Sequence, residues 1–288
     1  MKKTILFIIL AVVLGGIFFW SEIVDFYSRL TFRLPQIEVG ERVVLIEEVG
    51  KQIITPAPLR AVEETPKSFL TQAGIIKWTN SQRKEYDLPP LQENSELNAL
   101  AMIKAKDMLA EQYFGHISPA GEGVADLAET IGYEFIIIGE NLALGNFRDD
   151  QALVQGWMDS PGHRQNILNG QYQEIGVAVL QGTFEGKSTW LAVQHFTLPL
   201  TACPQPSKVI SAEITANQIQ LAELEIILKE AQMEIKKTGP KRGPAYNEKV
   251  DQYNELVSQY NQLLDQNQDL INEHNNQIVS FNECVAGF

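Results

Sequence analysis

The C-terminal part of the chain carries two stretches in which seam residues recur at spacings of three and four. Gly239 to Pro244 separates the two stretches. This spacing is the heptad repeat of a coiled coil. We therefore predict an antiparallel two-helix coiled-coil hairpin over residues 201–288. The seams run through Ile210, Ile214, Asn217, Leu221, Leu224, Leu228, Ala231 and Ile235, and through Tyr246, Val250, Tyr253, Val257, Tyr260, Leu264, Asn267, Ile271 and His274.

An antiparallel register has two consequences for polar residues of the tail. It places the amides of Asn217 and Asn267 opposite each other, and it brings Cys203 and Cys284 together at the open end. In an exported protein the two cysteines should oxidise to one intrachain disulfide. The alternative is a parallel coiled coil between chains, in which each cysteine pairs with a partner chain.

The N-terminus indicates the compartment. An uncharged apolar run from Thr4 to Trp20 follows Lys2 and Lys3 and precedes Glu22. Such a run approaches the length that spans a membrane, and the lysines are expected on the cytoplasmic side. We predict a single-pass membrane anchor and its flank over residues 1–34, with the bulk of the chain extracytoplasmic. The alternative is secretion after signal cleavage.

Composition excludes one class of partner. The formal net charge is -13, so the chain has no basic surface with which to neutralise phosphates, and nucleic acid is not expected as a partner. The hydrophobic content of 44% is enough for a buried core.

Between the anchor and the tail, two regions differ in pattern. Residues 35–67 contain β-branched runs, several prolines and no sustained period, which predicts a stalk or linker with one or two short strands. Residues 68–200 begin with helical patterns: one helix ends before Pro89, and a second is capped by Asn94 or Ser95. Two strand-like stretches follow, 175–180 and 188–196, joined by a loop over 181–187. This order predicts an α+β domain with helices packed on an antiparallel sheet.

Three residues of this domain have the chemistry of a metal site. His116 and His163 lie in short glycine-containing motifs, and Glu140 lies between them in Gly139-Glu140-Asn141. Two imidazoles and a carboxylate in one cleft can ligate Zn²⁺ or another divalent metal. Two other interpretations remain open: Glu140 orients an imidazole, or it bridges backbone N–H groups at a turn.

Other residues near these motifs have two interpretations each. Asn141 and Gln194 either line the same cleft or satisfy buried backbone groups. Trp157 and Tyr133 either form an apolar wall or belong to the core. His195 follows Gln194 and should point to the opposite face of its strand.

These motifs, in this order, resemble the CAP superfamily of cysteine-rich secretory proteins, antigen 5 and pathogenesis-related proteins, and especially its bacterial secreted branch. The similarity covers about residues 70 to 198. It rests on Asn80 and Arg83, Leu88 to Leu91, Ala101, Ala105, Asp107 and Met108, Phe114-x-His116, Gly132-Tyr133, Gly139-Glu140-Asn141, Trp157 to Leu168 with Ser160-Pro161-Gly162-His163, Ile175-Gly176-Val177, and Val193-Gln194-x-Phe196.

The resemblance implies an α-β-α sandwich whose cleft holds two histidines and two glutamates, a tetrad that binds a divalent metal in some members. His116, Glu140 and His163 match three of the four positions. Ser160, three residues after Trp157, stands where many eukaryotic members carry the second glutamate.

Three functions follow as hypotheses. The first is a membrane-anchored extracytoplasmic binding module that presents its cleft to a lipid, a wall fragment or a protein. The second is a structural spacer or docking protein of the cell envelope. The third is a hydrolase, in which metal-bound water or Ser160 attacks a carbonyl with His163 or His116 as base. No catalytic residue is assigned, because no Gly-x-Ser-x-Gly motif surrounds Ser160.

Overall fold

The computed structural model describes residues 50–288. The predicted anchor, residues 1–34, and the first part of the predicted stalk lie outside the described residues. None of the helices in the described part is both long and apolar enough to cross a membrane. The described chain divides into two compact units, one comprising residues 50–205 with Ser280–Phe288 and the other Pro206–Val279.

The elements follow one another in a mixed order. The strands are β1 (Gln52–Ile54), β2 (Leu59–Arg60), β3 (Gln92–Glu93), β4 (Phe135–Leu144), β5 (Glu174–Phe184) and β6 (Lys187–Pro199). The helices of the sheet-containing unit are α1 (Gln72–Glu85), α2 (Ser95–Ala110), α3 (Val124–Thr130), α4 (Asp150–Asp159) and α5 (Pro161–Ile167), followed by a 3₁₀ turn at Leu200–Ala202. Two long helices, α6 (Lys208–Lys237) and α7 (Pro244–Ala286), complete the described chain.

The sheet has an antiparallel centre and parallel edges. Its order is β1-β4-β6-β5-β3, with β2 beside β1 on the same edge of β4. The pairs β4/β6 and β5/β6 are antiparallel, whereas β1 and β2 run parallel to β4 and β3 runs parallel to β5. The predicted α+β class is confirmed, and the parallel edge strands are an addition to the antiparallel sheet expected from the sequence.

The turn between β5 and β6 is tighter than the predicted loop over 181–187. The strands pair as far as Phe184 and Lys187, so Glu185 and Gly186 alone make the turn. Their φ values are 50° and 77°. Positive φ at both positions is the type I′ geometry, whose twist matches that of the flanking strands and lets the ladder continue to the turn.

Helices pack on both faces of the sheet, and β4 is buried along its whole length. Alternate residues of β4 serve different cores, because successive side chains point to opposite faces. Ile138 and Leu142 lie in clusters with residues of α2, while Ile137 and Ala143 lie in the cluster that contains side chains of α1 and α4.

Two motif residues of α1 have structural roles. Arg83 is fully buried, and its guanidinium donates to the backbone carbonyls of Pro89, Ile167 and Asn169. The side chain of Asn80 bonds both backbone groups of Leu91. These contacts fasten the loops after α1 and α5. At the next helix, Asn94 is the N-cap, and its side chain accepts from the N–H groups of Glu96 and Leu97.

The described part of the predicted stalk belongs to the sheet. Residues 52–54 and 59–60 pair with β4, although their sequence shows no strand period. Short edge strands bury little of either face, so they carry little hydrophobic alternation for sequence reasoning to detect.

The second unit is made of two helices that share a hydrophobic cluster. The buried residues of α6 are Ile214, Leu221, Leu228 and Ile235, all of them on the predicted seam. Leu221, Leu228 and Ile235 pack with Tyr253 and Tyr260 of α7. Lys249 pairs with Glu234 at 2.8 Å. These contacts agree with two helices folded back on each other, and coiled-coil geometry itself stays a prediction.

The predicted disulfide is confirmed, since Cys203 is bonded to Cys284 within the sheet-containing unit. Cys203 is buried in that unit's main core, and Cys284 packs against the same core. The bond closes a loop with a sequence separation of 81 residues.

Replacing both cysteines by alanine should lower the free energy of unfolding of the sheet-containing unit by about 4 kcal/mol, the chain-entropy term for a loop of this size. Urea unfolding followed by tryptophan fluorescence measures the change. The wild-type protein should migrate as a monomer on non-reducing electrophoresis. A disulfide-linked dimer would contradict the intrachain bond.

Candidate functional site

The outer edge of β4 is covered unevenly by β1 and β2. Ile54 is the last residue of β1 to pair, opposite Gly139, and Leu59 is the first residue of β2, opposite Ala143. Residues 55–58 therefore span residues 140–142 of β4 without strand pairing. We call this interval the gap and residues 52–60 the edge segment. Glu140 and Asn141 are two of the three β4 residues that have no strand partner on this edge.

Glu140 is the centre of a buried ionic cluster. Its side chain is fully buried, Oε1 accepts from Nδ1 of His116 at 2.6 Å, and Oε2 accepts from Nε2 of His195 at 2.9 Å. Glu140 and His195 are opposite each other in the β4/β6 register, so their side chains share one face of the sheet. We call His116, Glu140 and His195 the Glu140 cluster.

The carboxylate of Glu140 is ionised despite its burial. Burial by itself would raise the pKa of Glu140, but the hydrogen bonds from His116 and His195 and their charges outweigh it and lower the pKa to about 2. The two histidines thus hold a negative charge inside the domain.

His116 faces an acceptor at each ring nitrogen. Besides Glu140 at Nδ1, the backbone carbonyl of Pro56 lies at hydrogen-bond distance from Nε2. Neither acceptor can supply a hydrogen, so both nitrogens of His116 donate in this arrangement. The side chain of His116 remains 12% exposed.

A buried lysine next to this cluster was missed by sequence reasoning. Lys104 of α2 is fully buried and donates to the carbonyl of His116 at 2.7 Å and to the hydroxyl of Tyr113 at 3.0 Å. Burial lowers the pKa of Lys104, and Glu140 and Asp107 oppose that shift. The detectable signal was a charged residue within the buried stripe that contains Ala101, Ala105 and Met108.

The opposite face carries an uncharged network of amides. Asn141 donates to Oε1 of Gln194 at 3.2 Å and to the carbonyl of His163 at 3.3 Å. Asn166 donates to Oδ1 of Asn141 at 3.0 Å, and Gln194 donates to Thr79 at 2.8 Å. These four side chains, the Asn141 cluster, are fully buried. Asn141 thus bonds a buried backbone carbonyl, as its structural interpretation expects, whereas Gln194 bonds two side chains.

Asn141 therefore does not share a face of the sheet with Glu140, contrary to the interpretation in which both line one cleft. They are consecutive residues of a strand, so their side chains point to opposite faces of the sheet. The same alternation places His195 opposite Gln194, as predicted, and on that face His195 meets Glu140.

His163 lies with α5, on the side of the Asn141 cluster. Its Nδ1 is 2.8 Å from Oγ of Ser160, the N-cap residue of the same helix. His163 is 1% exposed, and its Nε2 has no hydrogen-bond partner among the described residues. Burial lowers the pKa of His163 to about 4, and the nearby charge of His116 adds to the shift. The contact brings Ser160 and His163 together, and the hydrolase alternative stays a prediction.

Pro56 connects the two histidine sites. Its carbonyl bonds His116, and its ring lies against Gly162, where an added Cβ would come within 2.7 Å of Cβ of Pro56. His163 is the next residue after Gly162. Of the three predicted ligands, His116 and Glu140 lie on one face of the sheet and His163 lies on the other. Pro56 lies between His116 and the start of α5.

In this arrangement the side chains of two predicted metal ligands, His116 and Glu140, bond other protein groups. Both oxygens of Glu140 accept hydrogen bonds from histidines, and Nε2 of His116 faces the Pro56 carbonyl. Over residues 50–288, no group of three or more His, Cys, Asp or Glu side chains is placed to hold a metal ion. Binding of Zn²⁺ or another divalent metal by His116, Glu140 and His163 stays a prediction.

The two aromatic residues belong to the core. Trp157 is fully buried in the cluster with α1 and donates to the carbonyl of Leu142 at 3.3 Å. Tyr133 lies in a different cluster, and its hydroxyl donates to Glu174. They do not form one wall.

The shift of His163 predicts an acid-sensitive fold. Between pH 6.5 and about 4, an unfolded histidine binds a proton that native His163 does not, so the free energy of unfolding should fall as the pH falls. The slope should approach about 1.4 kcal/mol per pH unit for this one proton. His163→Asn should flatten the slope between pH 6 and 4.5, measured by urea unfolding.

Ser160→Ala is the matched control, because it removes the partner of His163 and leaves the buried imidazole. It should keep the slope. An unchanged slope in His163→Asn would show that another group titrates in this interval.

Glu140→Gln should lower the free energy of unfolding by about 3 kcal/mol, because one amide oxygen cannot accept from both histidines and the amide nitrogen would face an N–H group. Urea unfolding of the full chain measures this change. Glu129→Gln, an exposed substitution on α3, should be neutral within about 0.5 kcal/mol. A neutral Glu140→Gln would contradict an ionised Glu140 cluster.

Comparison with known proteins agrees with the motifs. Residues 77–196 match the sequence model of the CAP family, described as the cysteine-rich secretory protein family. The uncharacterized protein YkwD of Bacillus subtilis is 36% identical over 116 residues, which are 40% of this chain and 43% of that protein. The uncharacterized membrane protein YlbC of Bacillus subtilis is 34% identical over 109 residues, 38% of this chain and 31% of that protein. The chain thus spans less than half the length of either relative.

One solved structure is similar to part of this chain. The 1.5 Å crystal structure of an extracellular protein containing an SCP domain, from Bacillus anthracis, is 32% identical, covers 44% of this chain and 39% of that chain, and has a TM-score of 0.38. By the sequence match over residues 77–196, this chain contains a domain of the CAP superfamily, in its bacterial branch.

Proposed function

We propose that the CAP domain is an extracytoplasmic binding module whose ligand site is the gap on the edge of β4. The observation that carries this proposal is the environment of Pro56. A backbone carbonyl there is bonded by His116, and the ring beside it is accommodated by Gly162. Polar groups that converge on an unpaired stretch of a sheet edge, such as the gap, are typical of a recognition site.

An extracytoplasmic location is supported by the bond between Cys203 and Cys284, because structural disulfides form and persist in oxidising compartments. The relatives named as an extracellular protein and as a membrane protein agree with this location. The predicted anchor over residues 1–34 would hold the domain at the outer face of the membrane, where the expected ligands are a lipid, a wall fragment or a protein.

A photo-reactive amino acid at the exposed position 57 tests the binding function. In intact cells it should form adducts that the same group at the exposed position 129 of α3 does not form. Mass spectrometry assigns each adduct as lipid, glycan or peptide. Identical adduct patterns at the two positions would contradict a ligand site at the gap.

We further propose that α6 and α7 form an antiparallel coiled-coil hairpin that acts as a spacer. The shared cluster of Leu221, Leu228 and Ile235 with Tyr253 and Tyr260 supports this arrangement. The 30 residues of α6 correspond to a length of about 45 Å.

The predicted register can be tested with paired cysteines. Leu228→Cys with Val257→Cys should form a second disulfide on mild oxidation, because these positions face each other in the antiparallel seam. Leu228→Cys with Leu264→Cys is the mismatched control and should keep free thiols, counted by alkylation and mass spectrometry. The opposite pattern would show a different register.

A further inference from the structure

We infer that the edge segment occupies a peptide-recognition site, and that an extended peptide with a proline at the position of Pro56 can displace it. This inference rests on the proposed function and names its ligand class. The recognition mode is strand addition, in which backbone pairing to an open sheet edge supplies affinity and pockets beside the edge supply specificity.

The pairing of the edge segment is interrupted where its prolines lie. Residues 55–58 span the three residues 140–142 of β4, so one additional residue leaves the edge in this interval. Pro56 and Pro58 both fall within it. Because proline has no N–H to donate, it fits where no ladder hydrogen bond is made, and the residues of the gap make none.

The contacts in the gap recognise backbone and a ring rather than a particular side chain. His116 donates to the carbonyl of Pro56, and Asn166 donates to the carbonyl of Ile54 at 3.3 Å. Gly162 leaves the space that the ring of Pro56 occupies. Any extended segment with a proline at this position presents the same two carbonyls and the same ring.

No residue of the edge segment is fully buried, although Ile54 and Leu59 pack against the main core. Gln52, Ile53, Thr55 and Ala57 are exposed, and Ile53 retains 51% of its accessible area. Edge pairing with little apolar burial opens more readily than the central strands do. The nearby Nε2 of His163 is buried without a partner among the described residues, so the site as filled leaves one polar atom unsatisfied.

The probe is a fluorescein-labelled peptide with the sequence of residues 51–61, and its binding to the full chain is measured by fluorescence anisotropy. Wild-type protein should bind it weakly, because the edge segment competes. Consecutive N–H groups of a strand point to opposite sides, so Ile53→Pro with Ile54→Pro removes the one that faces β4. The double substitution should increase the affinity at least about tenfold by freeing the site.

Two further variants in the same background test the contacts. Gly162→Ala should reduce the affinity about tenfold or more, because its Cβ would lie 2.7 Å from Cβ of the proline. Gly170→Ala is the control, since its Cβ would make an ordinary contact at 3.6 Å. A peptide with the same residues in scrambled order should not bind.

Hydrogen exchange on the wild-type chain tests the same displacement without the proline substitutions, which could prevent folding. Excess peptide should accelerate exchange of residues 52–60 at least about threefold and leave β4 protected. Unchanged exchange at saturating peptide would overturn the inference. So would dimers that exchange the segment between two copies without binding peptide. Lipid or glycan adducts at position 57 without peptide binding would overturn the inference and leave the binding function standing.

Discussion

The ionised carboxylate of Glu140 is the constraint on which the arrangement of the sheet-containing unit depends. A buried charge is tolerated only when it is paired and hydrogen-bonded, and here each oxygen of the carboxylate accepts from one histidine. His195 is brought by the β4/β6 ladder, and His116 is brought by the loop after α2. Lys104 fastens that loop by donating to the carbonyl of His116, so a second buried charge is coupled to the first.

The same cluster determines what lies at the sheet edge. Because Nδ1 of His116 is engaged by Glu140, Nε2 is directed to the remaining acceptor, the Pro56 carbonyl. On the other face, the Asn141 cluster holds α5 against β4 through Asn166, and α5 carries Gly162 and His163. One strand thus positions two chemically different groups on either side of the gap, one charged and one neutral.

Sequence reasoning located most of these residues but not their grouping. The motifs around His116, Glu140 and His163 are local, and so are the helix cap at Asn94 and the heptad seams of α6 and α7. Asn141 was a candidate for the same cleft as Glu140, but consecutive strand residues point to opposite faces of the sheet. The short strands of the predicted stalk could not be assigned to the sheet from the sequence, because short edge strands carry little hydrophobic alternation.

By itself, the sequence determined features that depend on neighbouring residues: the helix that ends before Pro89, the helix capped at Asn94, the two strands of the central hairpin, and which cysteines exist to be joined. Only the tertiary structure decided which side chains share a face and which residues cover the site. Lys104 joins the Glu140 cluster, and Pro56 meets His116 across a sequence separation of 60 residues. The contact between Pro56 and His116 depends on how the edge segment pairs with β4, and no local sequence pattern encodes that register.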